Sequence, residues 1–162
     1  MKRITLRKRD GSVKYAIVDN KDFEELNSHK WSHAVFNEKR GSGRREVVMR
    51  TEKGKSIYMA IEIMKAPKGM KVDHKNKNPL DNRRTNLRIC TNSQNLMNRG
   101  KTKVNKTGYK GVSKAGNKFR AQITTNRKSE YIGTYSTARE AAHAFDERAL
   151  ARDPKFSLLN FA

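Results

Sequence analysis

The chain has 162 residues, with 37 Lys and Arg against 16 Asp and Glu, a formal net charge of +21. Charge of that sign concentrates polyanions and speeds their encounter, so nucleic acid is the expected partner and an anionic membrane surface the weaker one. No apolar run approaches the ~20 residues of a spanning helix, the N-terminal Met1-Lys2-Arg3-Ile4-Thr5-Leu6-Arg7 leads into no signal-peptide core, and the single Cys90 excludes a disulfide framework and a zinc ribbon.

Taken in order, the first third reads as short strands. Ile4–Leu6 and Val13–Val18 flank an Asp10-Gly11 turn and make a hairpin, because Asp-Gly favours the positive φ angles of such turns. A helical segment follows around Phe23–Leu26. Trp31–Phe36 and Val47–Arg50 form a second strand pair across Gly41-Ser42-Gly43, and Ser56–Met64 runs from strand into helix. His29 and His33 flank Trp31 and read as packing or surface residues.

The middle third predicts strand, loop, strand, helix. Met70–His74 is a strand after the Pro67-Lys68-Gly69 turn, 75–85 a loop without periodicity, and Leu87–Cys90 the return strand. Cys90 reads as a small buried apolar residue. Thr91-Asn92-Ser93-Gln94 fits a capping box that opens a helix and puts Asn95 in its first turn. Residues 65–106 carry 12 basic and only 2 acidic side chains, Asp73 and Asp81. Carboxylates that persist in so basic a segment point to use beyond solubility.

Arg99–Lys106 reads as an extended basic linker. Beyond it lie strands around Lys110–Ser113, Phe119–Thr124 and Glu130–Tyr135, with turns at Ala115-Gly116-Asn117 and Thr125-Asn126-Arg127. Thr137-Ala138-Arg139-Glu140 is a second capping box, opening a helix to about Leu150. Its Ala138, Ala141, Ala142, Phe145 and Ala149 share one stripe, small enough to lie close on a sheet.

Chemistry concentrates in the middle third. A strand ending in Asp73-His74, a return strand and a helix presenting Asn95 fold into a ββα hairpin in which the Asp73 carboxylate and the Asn95 amide oxygen meet. Both are hard oxygen donors suited to Mg²⁺ or Mn²⁺. His74 projects from the other face of the strand and takes a proton from water at neutral pH. Arg83, Arg84 and Arg88 supply cations for a nucleic-acid phosphate. Asn76, Asn78 and Asn82 read as turn residues.

At Asp73-His74, Asn86-Leu87-Arg88 and Gln94-Asn95-Leu96-Met97-Asn98 the chain resembles the HNH nuclease family, in particular the His-Asn-Asn type of phage and intron homing endonucleases. The resemblance covers about residues 57–99. It implies that His74 is the general base, that Asp73 and Asn95 are metal ligands, and that Asn86 braces the loop to keep His74 in register. Met59-Ala60 stands where many relatives carry a His-Arg pair.

Gly108–Ser113, Phe119–Ile123, Ile132–Tyr135, the Ala-rich helix and Leu159-Asn160-Phe161 resemble the apetala/ethylene-response-factor DNA-binding domain over about 107–161. That resemblance implies a sheet that lies in the major groove, with Lys110, Ser113, Gln122, Thr124, Ser129 and Tyr131 facing DNA. Arg120 is a further DNA candidate, its face left open by alternation alone. Phe119 stands where Trp is common, so no target sequence transfers.

The expected whole is an α+β chain: a β-rich module over 1–56, a ββα-metal HNH core over 57–99, a linker over 100–106, and a three-stranded antiparallel sheet packed on one helix over 107–162. Its expected function is site-specific, divalent-metal-dependent cleavage of double-stranded DNA by a cytoplasmic monomer, in the host cytoplasm if phage-encoded, with no protein partner and no membrane. A catalytically silent DNA-binding regulator is the alternative, and an RNA-binding accessory protein the third.

Overall fold

The computed structural model describes residues 1–7, 11–37, 44–101, 105–125 and 128–161. These fall into two compact units, one from Met1 to Asn92 and one from Ser93 onward. The turns expected at Asp10 and at Asn126-Arg127, and the Gly41–Gly43 loop, lie outside the described residues.

The first unit holds three small antiparallel sheets. Alternation of Ile4 and Leu6 with Arg3, Thr5 and Arg7 makes β1 (Lys2–Arg7), which pairs with β2 (Val13–Val18) in a register that sets Ile4 opposite Ala16. Helix α1 (Asn20–Asn27) follows, then β3 (Ser32–Asn37), β4 (Arg44–Glu52) and β5 (Lys55–Tyr58), in the order β3-β4-β5. Helix α2 (Met59–Met64) ends at Lys65, whose left-handed conformation at φ 48° closes it. A two-stranded ribbon, β6 (Lys71–His74) with β7 (Leu87–Cys90), completes the unit apart from the start of α3.

One core serves all three sheets. Ile4, Leu6, Ala16 and Val18 from the first, Val48 from the second and Leu87 from the third are buried together with Leu26, Trp31, Met59 and Ile63. Val72 and Leu80 pack against the same cluster. Each fully buried aliphatic side chain contributes about 1.5–3 kcal/mol, so β6 and β7 are anchored by side chains that the N-terminal segment supplies. Trp31 donates its indole N–H to the Leu26 carbonyl at 2.7 Å, which satisfies the polar end of an otherwise buried ring. Cys90 is buried and free, and burial, aided by the Asp73 charge, pushes its thiol up to about 11. It is an inert core residue.

Helix α3 (Asn92–Met97) is short and all but its first residue belongs to the second unit. There Gln94 donates its Nε2 to Asp153 at 3.1 Å. Strands β8 (Val112–Ala115), β9 (Lys118–Thr125) and β10 (Lys128–Tyr135) form an antiparallel sheet in the order β10-β9-β8, with an irregularity in β10 between Tyr131 and Gly133. Helix α4 (Ala138–Arg152) packs on this sheet. Its capping box forms in full, the Thr137 hydroxyl accepting from the Glu140 N–H and the Glu140 carboxylate from the Thr137 N–H. Ala141 and Ala142 meet Val112 and Ala121, while Phe145 and Ala149 meet Ile123. The chain is α+β, and no sheet among the described residues closes into a barrel.

The small-residue stripe brings α4 so close that the turn before β8 has no room for a side chain. Gly111 has φ 76°, and a Cβ built there would sit 2.0 Å from the Phe145 ring. Gly111→Ala therefore combines a left-handed strain with overpacking, and unfolding by denaturant should show the second unit weakened by about 2–4 kcal/mol.

Candidate functional site

The ribbon places the chemistry. Register sets Asp73 opposite Arg88 and His74 opposite Leu87, and because side chains alternate across a strand, Asp73 and His74 project to opposite sides. Cross-strand partners on one face lie within side-chain reach, and Arg88 uses it: Nε and Nη2 donate to Asp73 Oδ2 at 2.7 and 2.6 Å. The Asp73 side chain is 8% exposed, so its charge is held beneath the surface by a guanidinium.

Between the strands, residues 75–86 have no ladder to satisfy their backbone, and carboxamides do it instead. The Asn86 Oδ1 accepts from the Asn76 N–H at 3.0 Å, and its Nδ2 donates to Asn76 Oδ1 at 3.0 Å and to the Asp81 carbonyl at 2.7 Å. The Lys75 N–H meets the Asn86 carbonyl at 2.9 Å. Asn76 and Asn78 each accept from the N–H two residues on, closing tight turns, and Lys77 takes φ 62° in the bend. Asp81, 3% exposed, receives Arg83 on both oxygens at 2.7 and 2.6 Å and the Asn76 amide at 2.9 Å.

His74 reaches Asn82, with its Nε2 3.2 Å from Asn82 Oδ1. Burial holds the imidazole below its ordinary 6.5, against the opposing pull of Asn82 and the charges of Asp73 and Asp81. The neutral form is therefore the form present at neutral pH. A neutral imidazole in a fixed position, with a carboxylate on the opposite face of the same strand, is equipped to take a proton.

The sequence-level arginines sit elsewhere than in open solvent. Arg84 lies against Asp22 at 2.7 Å and donates its backbone N–H to Asp19, Arg83 holds Asp81, and Arg88 holds Asp73. By sequence Asn82 and Asn76 are turn residues and Asp81 a conspicuous acid; the structure joins Asn82 to His74 and Asn76 to Asp81. Exposed Lys75 and Lys77 follow His74 in the chain, and no pattern in the sequence sets them apart from its other lysines. Asn95 lies on α3 and belongs to the second unit.

In the second unit, register gathers six candidates onto the sheet face away from α4. Ser113 pairs with Arg120, Gln122 with Tyr131, and Thr124 with Ser129. Thr124 and Ser129 share a hydrogen bond at 2.9 Å, and the Arg120 guanidinium lies 6.0 Å from the centre of the Tyr131 ring. Tyr131 is 62% exposed. Arg120, whose face alternation left open, thus lies on the exposed side. Lys110 departs from the group. It precedes β8, and its ammonium turns inward to the carbonyls of Met97 and Leu158.

With this geometry in place, comparison with known proteins shows what the chain is similar to. Residues 65–97, the stretch that runs from before β6 through the carboxamide loop and β7 to the end of α3, match the family model described as HNH endonuclease. The chain is also similar to a protein of Acanthamoeba polyphaga mimivirus named as an uncharacterized HNH endonuclease, 33% identical over 90 residues that cover 56% of this chain and 46% of that relative. The chain thus spans less than half the length of this curated relative. No solved structure matches. No helix among the described residues is long and apolar enough to cross a membrane.

Arg83 lowers the pKa of Asp81 below its ordinary 3.8 through a direct hydrogen bond and its charge, outweighing burial. A depressed carboxylate stabilises the fold above its unfolded pKa, and the contribution is lost as pH falls through the folded value. Against Asp81→Asn, the wild-type chain should therefore hold its full stability advantage from neutral pH down to about pH 5 and lose it below about pH 4, as read by urea melts across that range.

Proposed function

We propose that the chain is a site-specific DNA endonuclease of the homing type that hydrolyses phosphodiesters of double-stranded DNA, with His74 as the general base and a divalent ion, Mg²⁺ or Mn²⁺, beside it. The observation that supports this most is the imidazole of His74, held 3.2 Å from Asn82 Oδ1 and next in sequence to the buried Asp73, in the segment that matches the HNH endonuclease model. HNH nucleases in general work with divalent metals. The buried Asp73 offers carboxylate oxygen of the kind a hard cation takes, and the resemblance implies Asn95 as a second oxygen ligand. Such an ion, when bound, would supply positive charge against the scissile phosphate and the departing oxygen.

His74 accepts a proton from water, the oxygen left behind attacks phosphorus, and the bond from phosphorus to the departing ester oxygen breaks, that oxygen taking a proton from solvent as it leaves. Asn86 keeps the loop closed on itself, so the base does not wander from the phosphate. Arg88 balances Asp73 when no other cation does. Arg83 and Arg84, each about a third exposed at the side chain, retain guanidinium surface for backbone phosphates, as the exposed Lys75 and Lys77 retain ammonium groups.

Duplex recognition falls to the exposed sheet face of the second unit. Ser113, Arg120, Gln122, Thr124, Ser129 and Tyr131 offer donors, acceptors and one aromatic ring there, and five of the six carry no charge. Such a face suits base edges more than phosphates, in keeping with the resemblance to the apetala/ethylene-response-factor domain. Lys110 then serves the fold of this unit. The protein acts as a monomer in the cytoplasm, the host's if it is virus-encoded.

Two variants assayed side by side divide the chemistry from the recognition. His74→Ala should lose on the order of 10²–10⁴ in cleavage rate while its affinity for the same duplex changes little. Arg120→Ala should weaken binding and retain cleavage at saturating protein, its slope of log affinity against log salt shallower by ~0.9 if the contact is to phosphate and unchanged if it is to a base. His74→Ala cutting at the wild-type rate, or Arg120→Ala binding the native site with unchanged affinity, would remove the corresponding half of this proposal.

A further inference from the structure

The N-terminal sheet is attached to the catalytic loop by more than shared core. The Ile17 N–H donates to the Leu80 carbonyl at 2.8 Å, and the Asn82 N–H donates to the Ile17 carbonyl at 2.8 Å. Residues 80–82 thus lie along β2 as a one-bridge parallel addition centred on Ile17 and Asp81. Two residues further on, the Arg84 N–H donates to Asp19 Oδ2 at 2.8 Å, and its guanidinium meets Asp22. Asp19 sits at the N-cap of α1 without capping it, its carboxylate turned to Arg84 instead. Four separate contacts from residues 17–22 therefore locate residues 80–84.

Asn82 sits in the middle of this bracket and is 1% exposed. Its Nδ2 donates to the Pro79 carbonyl at 2.9 Å. A carbonyl oxygen only accepts, so that end of the amide is the NH₂ group and the other end is oxygen. The oxygen faces His74 Nε2, and an amide oxygen also only accepts. Nε2 therefore carries the hydrogen, and in the neutral ring the lone pair resides on Nδ1.

We propose that Asn82 is the positioning residue that fixes His74 as the Nε2–H tautomer, leaving Nδ1 as the nitrogen that accepts the proton from water. The proposal rests on the reading of His74 as general base. It gives the N-terminal segment a role in catalysis, because Ile17, Asp19 and Asp22 hold the strand of loop that carries Asn82. Without the acceptor at Nε2 the neutral ring distributes its hydrogen between the two nitrogens and rotates, and a ring with Nδ1–H cannot take a proton there.

The test reads the tautomer and the rate separately, on the full chain. Long-range ¹H–¹⁵N spectra of the wild-type imidazoles at about pH 8, where the neutral ring dominates, should show His74 protonated at Nε2 and bare at Nδ1. Asn82→Ala should mix the tautomers and lower kcat on the order of 10²-fold, toward the cost of losing the base, with KM changed less than about threefold. Asn82→Asp, which keeps an acceptor, should keep the Nε2–H tautomer and lie within about tenfold of wild type. Should the alanine variant fail to fold, the wild-type spectrum and the aspartate variant still decide. A His74 ring protonated at Nδ1, or a folded Asn82→Ala with wild-type kcat, overturns the proposal. Cleavage surviving in His74→Ala would instead overturn the underlying reading of the base, whatever the spectrum shows.

Discussion

The pair of hydrogen bonds between Ile17 and the chain at Leu80 and Asn82 is the constraint on which the first unit depends. A loop of a dozen residues between two short strands has many ways to lie, and ordering its backbone costs about 1–2 kcal/mol per residue. The ribbon β6–β7 is too small to bear that alone, since two-stranded hairpins are marginal in water. Fastening the loop's far side to β2 makes it part of a larger sheet edge. The core formed by Leu6, Val18, Met59 and Leu87 then supports both ends of the fastening.

Within that frame the loop is stabilised by carboxamides whose donors and acceptors are both engaged. Asn86 and Asn76 bond each other twice through side chain and backbone, and Asp81 ties them to Arg83. Buried polar groups are costly when unpaired and specific when paired. The same economy governs charge. In the stretch that looks most basic by sequence, three arginines are matched with Asp81, Asp22 and Asp73. Their positive charge holds geometry.

Much of the fold was legible because it rests on local signals. Apolar segments set off by turn residues marked β1, β2 and β9, the Thr137–Glu140 pattern marked the start of α4, and the alanine stripe announced a close-packed helix. The union of the N-terminal sheet with the ribbon was not legible. It runs through backbone atoms of Ile17, which leave no side-chain signature, and through pairs such as Asp19 with Arg84, 65 residues apart. For the same reason Asn82 looked like one more turn residue: its meaning comes from the Pro79 carbonyl behind it and His74 in front. Arg120 shows the opposite case, since cross-strand register with Ser113 assigned a face that the strand's own sequence left open.

The central claim is that this chain breaks DNA by hydrolysis at the His74 site with a divalent ion. Supercoiled plasmid incubated with the purified wild-type chain, in Mg²⁺ or Mn²⁺ and in parallel with EDTA, tests it most directly. Nicked or linear products are expected with the ion, and with EDTA intact plasmid that is still bound in a mobility-shift assay. Plasmid that stays supercoiled in both ions while the folded chain binds it would contradict the account and leave a DNA-binding protein without nuclease chemistry.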